Sequence, residues 1–466
     1  MLLAIISSIL LILAFPNFNL SYLAFVGFVP LLFAIEKKPA KNAFWNSYLC
    51  GFLFYLGVLY WLYHVTGIGL IVLCLYLALY FGVFGFLFNR LIYYISGLSI
   101  LFIPLIWIFL EYVQSHLFSG FGWALLGYSQ YRNLHLIQIA DFSGVYGVSF
   151  IIMMMNVAVY RFFKRSTRSL MVAILVLGMV LWYGKIKIGE YKEEGGDSLK
   201  VSVIQGNIPQ EMKWDPLASD EIMDGYLNLT RLAAFDEPDL IIWPETSFPG
   251  FFVSDEEKTS QVFDLARKIQ IPLLIGANTE RNLENFNSAV LISKKGEITD
   301  QYDKLHLVPF GEFVPFADKI PFLHRLVLGE LGHFTAGEEY RIFKIERPAP
   351  QQIFDFSAGE QQVEKIEHRF ATLICFEDIF PDIARKFVQK GAQFLVVITN
   401  DAWYGKSGVP YQHAACSVFR AIENRVPIVR CANTGYSCFI DSYGRIHNSV
   451  GELFTAKHST STINFP

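Results

Sequence analysis

Apolar residues follow two different rhythms along this chain. Up to residue 184 they form long, almost unbroken runs, near 1–15, 20–35, 44–63, 68–88, 99–117, 145–161 and 169–184. A bilayer core takes about 20 apolar helical residues to cross. The pattern therefore predicts about seven membrane-spanning helices, the first two short enough to need a thinned bilayer or support from their neighbours. From Leu199 the runs become short and rich in Val and Ile: Val201–Gln205, Leu240–Trp243, Leu273–Ala277, Ala289–Ile292, Ala371–Cys375, Phe394–Thr399, Ile428–Cys431 and Ser437–Ile440. Such runs read as strands buried on both faces. Between them, 216–235, 255–269, 379–391 and 411–425 carry helical spacing. The chain reads as a multi-span α-helical membrane bundle, residues 1–184, followed by an α/β domain of layered sheets and covering helices, residues 185–466. A length of 466 residues also exceeds what one hydrophobic core usually serves.

Charge separates the same two parts. Residues 1–184 hold nine basic and three acidic side chains, and residues 185–466 hold 29 and 39, so the overall −4 conceals two opposite balances. The cations of the first part sit between apolar runs: Lys37, Lys38 and Lys41, then Arg90, then Arg161, Lys164, Arg165 and Arg168. These loops fall on one side of a seven-span bundle. The positive-inside rule makes that side cytoplasmic and puts the α/β domain outside, in the periplasm. A basic balance confined to short loops does not form the basic face that nucleic-acid binding needs. The first run lacks a basic leader and a small-residue cleavage site, so it reads as a retained helix.

Two membrane features stand apart from this pattern. Residues 118–145 are mixed, with Gly120, Gly122, Trp123, Gly127, Tyr128 and Tyr131. They suggest interfacial aromatics, with a re-entrant loop as the alternative. Glu111, near the end of the fifth run, must lie at the interface or be paired. In the second part, 346–368, with Pro348, Pro350, two Gln pairs and many charges, has the composition of a surface excursion.

The six cysteines contain no C-x-x-C pair and no zinc-type spacing with the ten histidines, so nothing points to a metal. Only Cys375 has informative neighbours. Three motifs end predicted strands or lie just beyond them: Trp243-Pro244-Glu245, Tyr302-Asp303-Lys304 running on to Phe310-Gly311-Glu312, and Ile374-Cys375-Phe376-Glu377. A thiol, a carboxylate and an ammonium brought together make a nucleophilic site without metal. Cys375 supplies the nucleophile, and a nearby cation or helix amino terminus is expected to lower its pKa from about 8.5. Glu245 is placed to move the proton as general base and acid, and Lys304 to stabilise an oxyanion. Singly, each has a bland reading: a capping carboxylate, a surface ion-pair partner, a buried small residue.

With these residues in order, the chain resembles the nitrilase, or carbon-nitrogen hydrolase, superfamily, whose Glu-Lys-Cys triad matches Glu245, Lys304 and Cys375. Further stretches are similar to its apolipoprotein N-acyltransferase family: the apolar spans ahead of the domain, Gln205-Gly206-Asn207-Ile208-Pro209-Gln210, Lys213-Trp214-Asp215, the ten residues from His306 to Pro315, and Asn400-Asp401-Ala402-Trp403-Tyr404-Gly405. The resemblance implies a nitrilase-like αββα four-layer sandwich on a membrane bundle, in a bacterial inner membrane. It implies a phospholipid acyl donor, typically phosphatidylethanolamine, a diacylated apolipoprotein acceptor, and no cofactor. It also implies supporting roles for Glu312, beside Lys304, and Glu377, in the nucleophile turn, and places Trp214 and Trp403 around a lipid entrance. Phe376 stands where some relatives have tyrosine, and His306 and His413 match no catalytic position. The family's usual eighth span has no counterpart in the polar stretch Lys457–Thr462, so the carboxy terminus is expected on the side of the catalytic domain.

Two other readings use the same residues. A membrane-tethered amidase or nitrile hydrolase would need only water as second nucleophile, and a silent scaffold would need none of the chemistry. Seven spans favour a substrate drawn from the bilayer, and an intact triad favours an enzyme.

Overall fold

The computed structural model describes every residue except 96, 191–196, 315–333, 349–352, 356–359, 363–364 and 466. Two compact units divide the chain. One comprises Met1–Lys192 together with Trp403–Arg425 and Tyr443–Arg445, and the other Glu193–Ala402, Val426–Ser442 and Ile446–Pro466.

The first unit is helical: α1 (Leu2–Ala14), α2 (Val29–Ile35), α3 (Ala40–Val58), α4 (Gly67–Leu91), α5 (Ser99–His116), the short α6 (Leu134–Ile137), α7 (Ala140–Phe163) and α8 (Thr167–Gly189). Every predicted apolar run coincides with a helix or, for 20–35, with a 3-10 turn leading into α2. Among the described residues four of these, α4, α5, α7 and α8, are long and apolar enough on their own to cross a membrane. Aromatic packing fills the interior. Trp107 of α5 lies with its ring 4.7 Å from Phe28, 4.9 Å from Phe81 and 5.2 Å from Phe84, all in edge-on geometry, the arrangement ring quadrupoles favour. Polar groups here must find partners inside the protein. Asn156 does so by accepting from Phe28 N at 2.8 Å and donating to Ala24 O at 2.7 Å.

The segment expected to carry interfacial aromatics is instead packed inside this unit: Trp123, Tyr128 and Tyr131 are all buried. Glu111 is buried and paired, its Oε1 accepting from Trp107 Nε1 at 3.0 Å and from Leu126 N at 2.7 Å. The carboxylate thus supplies an acceptor to irregular backbone that no helix partner satisfies. A later helix, α12 (Val409–Asn424), also belongs to this unit. Its Gln412 accepts from Trp61 Nε1 at 3.2 Å and Trp123 Nε1 at 2.9 Å, and donates to Pro16 O at 3.0 Å and Val58 O at 3.1 Å.

Among the described residues the second unit forms two six-stranded sheets. The first is built from β1 (Ser198–Gln205), β2 (Leu240–Ile242), β3 (Leu273–Arg281), β4 (Glu284–Ile292), β5 (Ile298–Asp303) and β14 (Lys457–Asn464), in the order β14-β1-β2-β3-β4-β5. The second is built from β6 (Phe343–Pro348), β9 (Lys365–Ile374), β10 (Phe394–Thr399), β11 (Ile428–Ala432), β12 (Cys438–Ile440) and β13 (Ile446–His447), in the order β13-β12-β11-β10-β9-β6. Each has a parallel centre, β1-β2-β3 or β9-β10-β11, flanked by antiparallel strands. The parallel centres bury both faces, and all six residues of β10 are buried, as continuous apolar strands require. The sheets face one another: Cys431 Sγ on β11 lies 3.3 Å from the carbonyls of Ile204 on β1 and Ile242 on β2.

Helices α9 (Ser219–Ala234) and α10 (Glu256–Ile269) cover the first sheet, and α11 (Pro381–Gln389) packs beside β9. The nitrilase-like αββα layering expected from the sequence is thereby present. Helix α10 shows why these stretches are helical. Asp255 caps its first turn by accepting from Lys258 N at 3.1 Å, and Glu256 and Glu257 precede Arg267 and Lys268 along the dipole. Val262, Leu265 and Ala266 form its buried stripe.

In the predicted surface excursion, β6 pairs with β9, and a two-stranded ribbon joins β7 (Ile353–Asp355) to β8 (Glu360–Gln362). Its Pro350 and the Gln351-Gln352 pair lie outside the described residues, as does Pro315 at the end of the His306 motif.

Candidate active site

Strand ends deliver the chemistry. Glu245 follows β2 of the first sheet, and Cys375 and Asn400 follow β9 and β10 of the second, each beyond the carboxyl end of a strand in a parallel centre, where α/β sheets commonly carry their functional side chains. Lys304 follows β5 directly. The backbone at Glu245 passes so close to β3 that a Cβ on Gly276 would sit 2.7 Å from Glu245 Cα, so that position admits only glycine.

The structure brings Glu245, Lys304 and Glu312 together in one buried cluster. Lys304 Nζ lies 2.9 Å from Glu312 Oε2 and 3.5 Å from Glu245 Oε1. Its main-chain N–H donates to Asn287 O at 2.9 Å, which fixes the start of the segment leaving β5. Asn287 Nδ2 bridges both carboxylates, 2.8 Å from Glu245 Oε1 and 2.9 Å from Glu312 Oε1. The second oxygen of Glu245 accepts from Asn400 N at 2.9 Å, and Val308 N donates to Glu312 Oε2 at 2.8 Å. Burial alone would weaken the Lys304 ammonium, but the charges of Glu312 and Glu245 outweigh it and hold its pKa above the ordinary lysine value.

Cys375 is buried and has φ of 52°, a left-handed conformation costly for a residue with a Cβ. It opens a five-residue 3-10 helix, Cys375–Ile379, before α11. The expectation that its thiol pKa would be lowered is corrected here. Burial raises it well above the ordinary value, Glu245 raises it further, and Lys304 only partly opposes them. Burial thus favours the neutral thiol.

Glu377 holds this turn from inside. Its Oε2 accepts from Ile374 N at 2.7 Å, and its Oε1 from Tyr302 Oη at 2.7 Å, Leu305 N at 2.7 Å and His306 N at 3.1 Å. One carboxylate thus ties the strand end before Cys375 to the segment after Lys304. Burial pushes its pKa up to about 7 against those donors. Below it, fully buried Arg430 donates to Asp378 Oδ2 at 3.0 Å and lies 3.5 Å from Asp401 Oδ2. Phe376 packs against Phe380 at 5.2 Å and His306 at 5.9 Å.

Trp214 is half exposed on the loop after β1. Trp403 lies in the 3-10 turn Asp401–Tyr404 and falls within the helical unit. Sequence reasoning gave no role to Asn287, Asn400 or Lys213. Asn400 and Lys213 stand inside motifs that carried the family resemblance, which was their only signal. Asn287 had none.

Residues 200–464 match the model of the carbon-nitrogen hydrolases, and residues 7–158 match that of the apolipoprotein N-acyltransferase N-terminal domain. A Geobacter metallireducens protein named apolipoprotein N-acyltransferase is 39% identical over 96% of this chain and 86% of its own length. The chain belongs to the apolipoprotein N-acyltransferase family. A second apolipoprotein N-acyltransferase, from Chlorobaculum tepidum, is 31% identical over 95% of this chain and 87% of its own length. Among solved structures, the C. elegans NitFhit protein superposes with a TM-score of 0.42 at 18% identity, covering 58% of this chain and 62% of that one. As a member of the apolipoprotein N-acyltransferase family the chain is an acyltransferase, and its apolar helices make it a membrane protein.

Proposed function

We propose that this enzyme moves an acyl chain from a phospholipid, with phosphatidylethanolamine as the expected donor, to the amino-terminal amine of the diacylglyceryl-cysteine of an apolipoprotein. Cys375 Sγ attacks the ester carbonyl while Glu245 takes the thiol proton, and the Lys304 ammonium balances the oxyanion. Collapse breaks the ester C–O bond, Glu245 returns the proton to the departing lysophospholipid, and a thioester remains. The acceptor amine then attacks the thioester, its proton passes through Glu245 to the sulfur, and an amide leaves. The observation that carries this reading is the buried Glu245–Lys304–Glu312 cluster within the domain that holds the buried Cys375 at a strand end. A thiol at rest with a raised pKa needs its base at the moment of attack, which is the role given to Glu245. Glu312 and Asn287 orient Lys304 and Glu245, and Glu377 keeps the nucleophile turn in register. Trp214 and Trp403 serve the approach of lipid.

The test uses purified protein in detergent with labelled phosphatidylethanolamine and a diacylated lipopeptide. Triacylated product should form, and Glu245→Ala and Lys304→Ala should each lose at least ~100-fold in turnover with lipid affinity little changed. Hydrolysis to free fatty acid with no acylated peptide would point to an amidase-like outcome, and near-parent turnover in either variant would remove that residue from its role.

The proposed setting is the bacterial inner membrane with the catalytic domain on the periplasmic side. Single-cysteine probes at Gln361 and Thr462 should react from outside intact spheroplasts, and one at Lys164 only after permeabilisation. Opposite sidedness of Gln361 and Thr462 would refute seven crossings, and cytoplasmic exposure of both would reverse the orientation.

A further inference from the structure

Lys213 lies on the loop between β1 and α9, with its side chain turned inward and 8% exposed while its neighbours Glu211, Trp214 and Asp215 remain exposed. Nζ donates to Glu245 O at 3.0 Å, Thr246 O at 3.1 Å and Thr246 Oγ1 at 2.9 Å. All three acceptors are uncharged, and among the described residues no carboxylate forms an ion pair with it. An ammonium donates to all three acceptors in charge-assisted bonds, whereas a neutral amine donates only two weaker bonds to the carbonyls and must accept its third from the Thr246 hydroxyl, so its grip on the turn is looser. The turn it grips is strained: Thr246, β-branched, has φ of 45°. Such a conformation persists only where its surroundings hold it, and Lys213 grips the carbonyls on both sides of it.

We propose that Lys213 is a positioning residue for Glu245: as an ammonium it pins the Glu245–Thr246 turn, and loss of its proton releases the turn and slows transfer. The inference rests on the reading of Glu245 as the base. Burial pushes the Lys213 pKa down to about 7, and the charged and titratable groups acting on it, Glu245 and Cys375, only partly oppose this. The ammonium is therefore present below about pH 7 and lost as pH rises through it. Glu377 ionises in the same range, but its carboxylate collects four donors, so its protonation acts on the acid side and the two limbs separate by direction.

The experiment follows kcat and KM against pH for the full chain in detergent, with labelled phosphatidylethanolamine and a diacylated lipopeptide. The parent should show kcat falling on the alkaline side with KM nearly constant. Lys213→Met should lose about 10²-fold at neutral pH, the size expected for a displaced catalytic group, and should show no alkaline fall. Lys213→Arg, whose guanidinium keeps its charge throughout this range, should recover part of the rate lost in Lys213→Met and also show no alkaline fall. An alkaline fall equal in the parent, Lys213→Met and Lys213→Arg would overturn the proposal. Glu245→Gln separates the two ideas: an active Glu245→Gln removes the base reading, whereas an inactive one beside unaltered profiles in the two Lys213 variants removes only Lys213.

Discussion

Cys375→Ala is expected to abolish covalent labelling by a phospholipid carrying a labelled acyl chain, and to lower transfer by ~10⁴-fold or more, the usual cost of deleting a nucleophile. The parent, given donor and no acceptor, should retain the label until hydroxylamine removes it, because a thioester yields to that reagent. Among the described residues the carboxylates of the cluster and the turn are already engaged, Glu245 and Glu312 with Lys304 and Asn287, and Glu377 with four donors. Label that persists in Cys375→Ala, or that resists hydroxylamine in the parent, would remove the thioester from the mechanism.

The largest effect on stability is expected at Arg430. It is fully buried against Asp378 and Asp401, themselves fully buried. Arg430→Met keeps much of the volume but takes away the cation these carboxylates share. Breaking a buried pair by removing one partner costs about 3–5 kcal/mol, which for a domain of this size shifts an apparent Tm by roughly 10 °C. Asp378 belongs to the turn that begins at Cys375, so activity should fall even below the transition. Thermal unfolding in detergent is the measurement. A Tm within a degree or two of the parent's would show that the two aspartates are held by their other contacts instead.

What the sequence revealed follows from what burial does to composition. Strands of the parallel centres are apolar on both faces, so β1, β2, β3, β10 and β11 announced themselves as unbroken runs. Strand β14 did not. Its residues, Lys457-His458-Ser459-Thr460-Ser461-Thr462-Ile463-Asn464, are mostly polar, yet all eight pair in register with β1. It is an edge strand with one wet face, and only its partner makes it a strand. Strands β5 and β6 escaped for the same reason. Glu245, Lys304 and Cys375 could be found because each stands at the end of an apolar run or in a familiar motif. Asn287 could not, since its importance lies in reaching two carboxylates, Glu245 after β2 and Glu312 in the segment beyond β5, that only the fold brings together. The direction of the Cys375 pKa was misjudged because a nearby lysine is visible in sequence, whereas the depth of burial and the second charge from Glu245 are not.

The placement of α12 also sets an order of events during synthesis. Gln412 completes hydrogen bonds with Trp61, 351 residues earlier, and with Pro16, 396 residues earlier. When α1 to α8 leave the ribosome, two indole N–H groups and two carbonyls in the middle of their unit still lack these partners. They must wait while most of the second unit is translated, until the stretch between β10 and β11 emerges. The helical unit therefore lacks these contacts until α12 is made, and this interior piece comes from a stretch of chain set within the other fold. A chain cut after α8 would leave that interior unfinished, and a chain begun at β1 would carry α12 with its buried face uncovered.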